Sequence, residues 1–184
     1  MSQSSSNVRR DGPAAVKAVI SLGSNMGERE RYVLSAAARI SSTAGVSSAR
    51  LSPLYETEPR GEGYSRPFVN AVMILETTLA PRALLALGQG IERETGRVRA
   101  EGTGDRTVDI DIILHGEHRI DETDLKIPHP RLMERHFVLV PLADLDPGFP
   151  LPGGITAAEA ARSKDASGRV EKISSRSRTG RKSL

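Results

Sequence analysis

The sequence predicts an α+β fold: a ferredoxin-like βαββαβ antiparallel sheet with helices on one face and added short helices. Two observations carry this. Short apolar runs rich in β-branched residues alternate with stretches of helical spacing, in the order β-α-β-β-α-β. Glycine and proline punctuate the junctions between them. A third, the length of 184 residues, suits about one domain with a buried core.

Val16–Leu22 (VKAVISL) reads as the first, buried strand, broken by Gly23-Ser24-Asn25-Met26-Gly27. From Glu28 to about Ile40, Val33, Leu34, Ala37, Ala38 and Ile40 recur at helical spacing, and Gly45 ends that helix. Val46–Tyr55 reads as a second strand, and Glu56–Pro67 as a Gly/Pro/charge loop. Phe68–Leu79 (FVNAVMILETTL) is a third strand, expected at the centre of the sheet. Ala80-Pro81 opens a helix carrying Leu84, Leu85, Leu87 and Ile91, which ends at Gly96. Residues 97–106 (RVRAEGTGDR) form a polar loop, and Thr107–Leu114 (TVDIDIIL) alternates as the fourth strand. Residues 115–127 read as a loop with a short edge strand. Pro128–Glu134 and Phe137–Leu145 read as short helices or turns.

Residues 1–15 are expected as a disordered arm, 16–162 as the folded domain and 163–184 as a basic disordered Ser/Arg/Lys tail. The formal net charge is +3, but its distribution is uneven. The tail 163–184 holds seven Lys/Arg against two Asp/Glu, and residues 1–12 hold two Arg against one Asp. The body 13–162 therefore carries 17 basic and 20 acidic residues. A mildly acidic body with six aromatics argues against a nucleic-acid-binding core, including an RNA-binding module of the same topology. With no cysteine, a disulfide framework, a Cys-ligated metal and a cysteine nucleophile are excluded. No apolar run approaches the roughly 20 residues of a membrane span, and the N-terminus lacks a secretory apolar core. The expected setting is the cytoplasm, and the expected state a monomer.

Asp109-Ile110-Asp111 is the most informative triplet. Residues i and i+2 of a strand share a face, so the two carboxylates stand side by side while Val108, Ile110 and Ile112 face the core. Their mutual repulsion is relieved by a divalent cation, and all-oxygen ligands favour Mg²⁺ held together with substrate phosphates. Taken alone, the pair equally suits the solvated face of an edge strand. Arg97, Arg99 and Arg106 lie just before it in a glycine-containing loop, and guanidinium groups bind phosphate oxygens in a bidentate way. Any one of these arginines alone suits an ordinary solvated loop. His129, Arg131 and Arg135 follow on a Pro-bounded turn; the spacing predicts Arg131 and Arg135 on one helix face. His115 and His118 have no third ligand in view for zinc. No P-loop, Rossmann or protein-kinase signature is present.

An ordered set of segments goes further: SLGSNMG, SPLYETEP, FVNAV, GRVR…DRTVDIDIILHG and IPHPRLMERHFVLVPLADLDP. From about Lys17 to Pro152 the chain resembles the 6-hydroxymethyl-7,8-dihydropterin pyrophosphokinases. The resemblance implies transfer of the β,γ-pyrophosphoryl group of ATP to the hydroxymethyl group of a dihydropterin, leaving AMP, in folate biosynthesis. It implies two Mg²⁺ ions held between Asp109, Asp111 and the ATP phosphates, and a catalytic set of Arg97, Arg106, Asp109 and Asp111. The implied nucleotide-binding residues are Gln89, Glu92, Arg99, Arg106, Ile112, His129 and Arg135. Those implied for the pterin are Thr57, Phe68, Asn70 and Phe137. Ser24 and Asn25 would buttress the site. The chain departs from the family where many members read RxxxxRWGPRTLDIDI: there is no Trp, Gly102 replaces the preceding Arg, Asp105 replaces the Pro, and the loop is one residue short. Lys126 and Asp124 also stand where the family has Thr and Arg. These departures leave open an alternative, a weakened or repurposed paralogue that binds pterin or nucleotide without efficient transfer.

Overall fold

A computed structural model of the chain describes residues 13–58, 66–96, 105–163 and 169–174. Most of the expected N-terminal arm and much of the basic tail lie outside these residues. β1 (Val16–Ser24) is an inner strand of the main sheet, with β4 (Phe68–Thr77) on one side and β5 (Asp109–His115) on the other. β2 (Val46–Leu51) and β3 (Tyr55–Thr57) both run along the far edge of β4, and β8 (Val170–Lys172) adds to β3. Every pairing is antiparallel, and the order β5-β1-β4-β2/β3 is that of the split βαβ sheet expected from the sequence. A separate two-stranded ribbon pairs β6 (Ile120–Asp121) with β7 (Lys126–Ile127).

Alternation along the strands builds two faces. Ala18, Ile20 and Leu22 of β1, Ala71, Met73 and Leu75 of β4, and Ile110 and Ile112 of β5 form one core cluster. α1 (Arg29–Ser41) and α2 (Pro81–Glu94) cover it with Val33, Ala36, Ala37, Ile40, Leu84 and Ile91. Gly88 lets α2 come close to β5: a Cβ there would stand 3.1 Å from the Ile110 side chain. The opposite face is apolar over only part of its area, at Val19, Val72, Ile74 and Leu114. α3 (His136–Leu145) and α4 (Ala157–Ala161) pack there, so the added helices take the face that the two long helices leave. The same alternation then turns polar, through Ser21 and Gly23 on β1, Asn70 on β4 and Asp109 and Asp111 on β5.

Three local expectations are corrected. The single strand Val46–Tyr55 is two strands, because Pro53 has no N–H for the ladder. Ser52 bridges the break: its N–H donates to Val72 O at 2.8 Å, and its Oγ accepts from Val72 N at 3.0 Å. Arg131 and Arg135 do not share an α-helical face, since Leu132–Glu134 is a single 3₁₀ turn and Arg135 caps α3. Within the stretch expected as a disordered tail, Val170–Lys172 forms a strand because β3 offers it an open edge and Asp144 holds Lys172.

Candidate active site

The turn after β1 ties the loop before β5 to the sheet. Asn25, buried, donates from Nδ2 to Asp105 Oδ1 at 2.7 Å and accepts at Oδ1 from Arg106 N at 2.8 Å. Its backbone N–H donates to Arg106 O at 3.2 Å. Residues 80 positions apart are thereby fixed side by side, and Arg106 is delivered to the start of β5. Ser24 is fully buried beneath this turn.

On β5, Asp109 and Asp111 share the polar face while Ile110 and Ile112 are buried on the other, as the spacing predicts. Two residues of strand separate the carboxylates by about 7 Å. Each meets a guanidinium: Arg106 Nη1 stands 2.6 Å from Asp109 Oδ2, and Arg135 Nη1 stands 2.7 Å from Asp111 Oδ2. Arg135 also lies over the Phe137 ring, its Cζ 5.4 Å from the centroid, in a cation–π contact. The strand is held from behind by Glu92 of α2, whose Oε1 accepts from Ile110 N at 2.8 Å.

The carboxylate pair stands between two cavities. One, of about 220 Å³, is lined by Thr57, Phe68, Asn70 and Phe137, and by Asp109, Arg106 and Arg135. Asn70 Nδ2 donates to Thr57 Oγ1 at 2.7 Å, which sets the amide. Gly23 leaves that amide its room, since a Cβ there would fall 2.8 Å from Asn70 Oδ1. The other cavity, of about 230 Å³, is lined by Asp111, Ile112 and His129 with Leu85, Asp124 and Lys126. His129 Nδ1 accepts from Arg131 N at 3.1 Å, so in the neutral ring Nε2 carries the proton. Burial and the Arg135 charge hold the His129 pKa below the usual histidine value, against the opposing pull of Asp111.

The structure thus brings together ten of the residues expected from the sequence around one carboxylate pair: Thr57, Phe68, Asn70, Arg106, Asp109, Asp111, Ile112, His129, Arg135 and Phe137. Glu92 is buried against the Ile110 amide, where it anchors β5. Gln89 is exposed on α2 and lines neither cavity. Arg97 and Arg99 lie outside the described residues. Ser21, Gly23, Glu134, His136, Arg169 and Val170 also line the first cavity without having been singled out as its ligands. His136 adjoins Phe137 in the ERHFV segment, and its Nε2 is buried with no hydrogen-bond partner among the described residues. Alternation from Asn70 and Asp109 across the sheet could have found Ser21 and Gly23. Nothing in the sequence pattern signals Arg169 and Val170.

The family model for 7,8-dihydro-6-hydroxymethylpterin-pyrophosphokinase (HPPK) matches residues 19–147. The chain belongs to this family. It is 44% identical over 128 residues to the 2-amino-4-hydroxy-6-hydroxymethyldihydropteridine pyrophosphokinase of Bacillus subtilis (strain 168), covering 70% of this chain and 77% of the relative. The Methylorubrum extorquens enzyme of the same name is 35% identical over 157 residues, covering 85% of this chain and 98% of the relative. Among solved structures, wild-type Plasmodium falciparum HPPK-DHPS superposes with a TM-score of 0.60 at 14% identity, over 83% of this chain and 41% of that one. This chain therefore spans less than half of that fused relative, and the likeness concerns the fold.

The oxygen-only donor set fits the metal that the family implies. Among the described residues, no group of three or more His, Asp or Glu side chains could hold an ion alone. Two carboxylates on one strand face instead suit Mg²⁺, which completes its sphere with phosphate oxygens and water.

Proposed function

We propose that this chain transfers the β,γ-pyrophosphoryl group of ATP to the hydroxymethyl oxygen of 6-hydroxymethyl-7,8-dihydropterin. One observation carries the reading: Asp109 lines one cavity and Asp111, on the same strand face, lines the other. A donor held on one side and an acceptor on the other would meet at the pair. The acceptor oxygen forms a bond to the β-phosphorus, the bond from that phosphorus to the α,β-bridging oxygen breaks, and AMP leaves. The hydroxyl proton is released. Such a transfer needs little covalent help and depends on positioning and electrostatics.

The residues divide this work. In the 220 Å³ cavity Phe137 offers a ring face to the flat pterin, and Asn70, set by Thr57, offers a donor and an acceptor to its amide-like edge. In the 230 Å³ cavity, Ile112 and Leu85 give apolar surface for a base, and His129 is a neutral Nε2–H donor for a phosphate oxygen. Arg106 and Arg135 are paired to the two carboxylates, so the site is close to charge-neutral before substrate enters. Phosphate oxygens compete for those guanidinium donors, which frees the carboxylates for metal. Asp109 and Asp111 would hold two Mg²⁺ ions with ATP; when bound, these neutralise phosphate charge and lower the pKa of the attacking hydroxyl. The cysteine-free chain suits a cytoplasmic setting, and a sheet whose two faces are both packed by helices suits a monomer.

The test is AMP release from ATP and Mg²⁺, with and without the dihydropterin. Pterin-dependent AMP is expected from the natural chain and a loss of at least 100-fold in Asp109→Ala and in Asp111→Ala. Activity within tenfold in either variant overturns the role of the pair.

A further inference from the structure

We propose that the segment Arg169–Ile173, beyond the stretch matched by the family model, is a working wall of the pterin cavity and sets its affinity for the dihydropterin. This rests on the reading of the 220 Å³ cavity as the pterin site. β8 pairs antiparallel with β3 in the register Tyr55↔Lys172, Glu56↔Glu171 and Thr57↔Val170. Period-two alternation then puts Val170 on the same face as Thr57, the residue whose hydroxyl accepts from Asn70. Arg169 and Val170 both line the cavity.

Three-residue strands do not hold each other by their ladder alone. Here β8 is fastened at its C-terminal end. Lys172 Nζ stands 2.8 Å from Asp144 Oδ2 on α3, and the Tyr55 hydroxyl donates to the same oxygen at 2.7 Å. Ile173 N–H donates to Leu54 O at 2.8 Å, and the Ile173 side chain packs on the core beneath the two long helices. One carboxylate thus joins β3, β8 and α3, and α3 begins with His136 and Phe137, which also line the cavity. Without β8, β3 would be the sheet edge and the Thr57 side of the cavity would open to water. The second cavity takes no residue from β3 or β8, so nucleotide binding has no reason to follow.

The experiment compares full-length Val170→Asp, Val170→Ile and Lys172→Ala with the natural chain. KM is measured for the dihydropterin and for ATP, and binding of oxidised 6-hydroxymethylpterin is followed by its fluorescence. Val170→Asp is expected to raise the pterin KM and Kd at least tenfold, and Lys172→Ala about threefold, with the ATP KM within twofold. Val170→Ile, which keeps an apolar wall, is expected to recover most of the pterin affinity that Val170→Asp loses. If Val170→Asp does not fold, Val170→Ser replaces it with an expected rise of at least threefold. A folded Val170→Asp or Val170→Ser with unchanged pterin affinity overturns the proposal, as does an equal rise for ATP. Asn70→Ala separates the two failures. If it too leaves pterin binding unchanged, the cavity is not the pterin site. If it weakens binding while the Val170 variants do not, only the role of β8 fails.

Discussion

Replacing Glu92 by alanine distinguishes two roles for one residue. The family resemblance puts Glu92 on the nucleotide; the structure puts its carboxylate on the backbone of the strand that carries Asp109 and Asp111. Glu92 is 7% exposed and Ile110 9%, so the 2.8 Å bond from Ile110 N–H to Oε1 is shielded on both sides. A hydrogen bond to a charged acceptor contributes about 1.5–3 kcal/mol, and an orphaned buried N–H carries its own desolvation cost. Alanine also leaves a small cavity between α2 and β5. The expected loss is about 2–4 kcal/mol, a fall in Tm of roughly 4–16 °C for a chain of this length. Glu92→Gln keeps an oxygen in reach and is expected to recover at least half of it. The assay is thermal and urea unfolding beside KM for ATP. An Ala variant that melts within about 1 °C of the natural chain refutes the anchoring argument. A raised ATP KM alongside unchanged stability would return Glu92 to the nucleotide.

Further outcomes follow from the same geometry. Asn25→Ala removes both side-chain bonds that fix Asp105 and Arg106, and is expected to lower kcat at least tenfold while KM for the pterin changes less than threefold; steady-state kinetics check it. Gly23→Ala drives a methyl against the Asn70 amide, which Thr57 holds in place, and is expected to raise the pterin KM severalfold with the ATP KM unchanged. His115 has its pKa lowered, mainly by burial, with the nearby His118 adding to the effect and the Leu79 carbonyl opposing it. Its neutral form is the folded one, so stability is full above the unfolded histidine value of about 6.5 and falls as pH drops below it. His129 shifts the same way, so the pH slope of Tm between 7 and 5 should shrink, but not vanish, in His115→Gln.

Most of the sheet was legible because its core face follows a simple rule. In VKAVISL, FVNAVMIL and TVDIDIIL, alternate residues are apolar and bury under α1 and α2, and period two survives any detail of tertiary packing. The break at Pro53 was written in the chain but competes with the apolar pattern around it, and only the register on β4 decides it. β8 was not legible. Its composition is that of a solvated tail, and what orders it is a distant edge, β3, and a distant carboxylate, Asp144. Long-range partners of that kind leave no local periodicity.

For the site, legibility tracked how local the chemistry is. The Asp109/Asp111 pair declares itself within three residues, because a strand must put both on one face. What that face opens onto depends on where α3 and α4 stop. α3, with α4 packed on it, covers Val19, Val72, Ile74 and Leu114, and the cover ends where the same strands turn to Ser21, Gly23, Asn70 and Asp109. One sheet face is therefore half core and half cavity. The change of residue type along β1 and β4 is the boundary: an apolar side chain at Ser21 or Asn70 would extend the core into the cavity. Polar residues at alternate positions of otherwise apolar strands are, in this fold, the trace that the site leaves in the sequence.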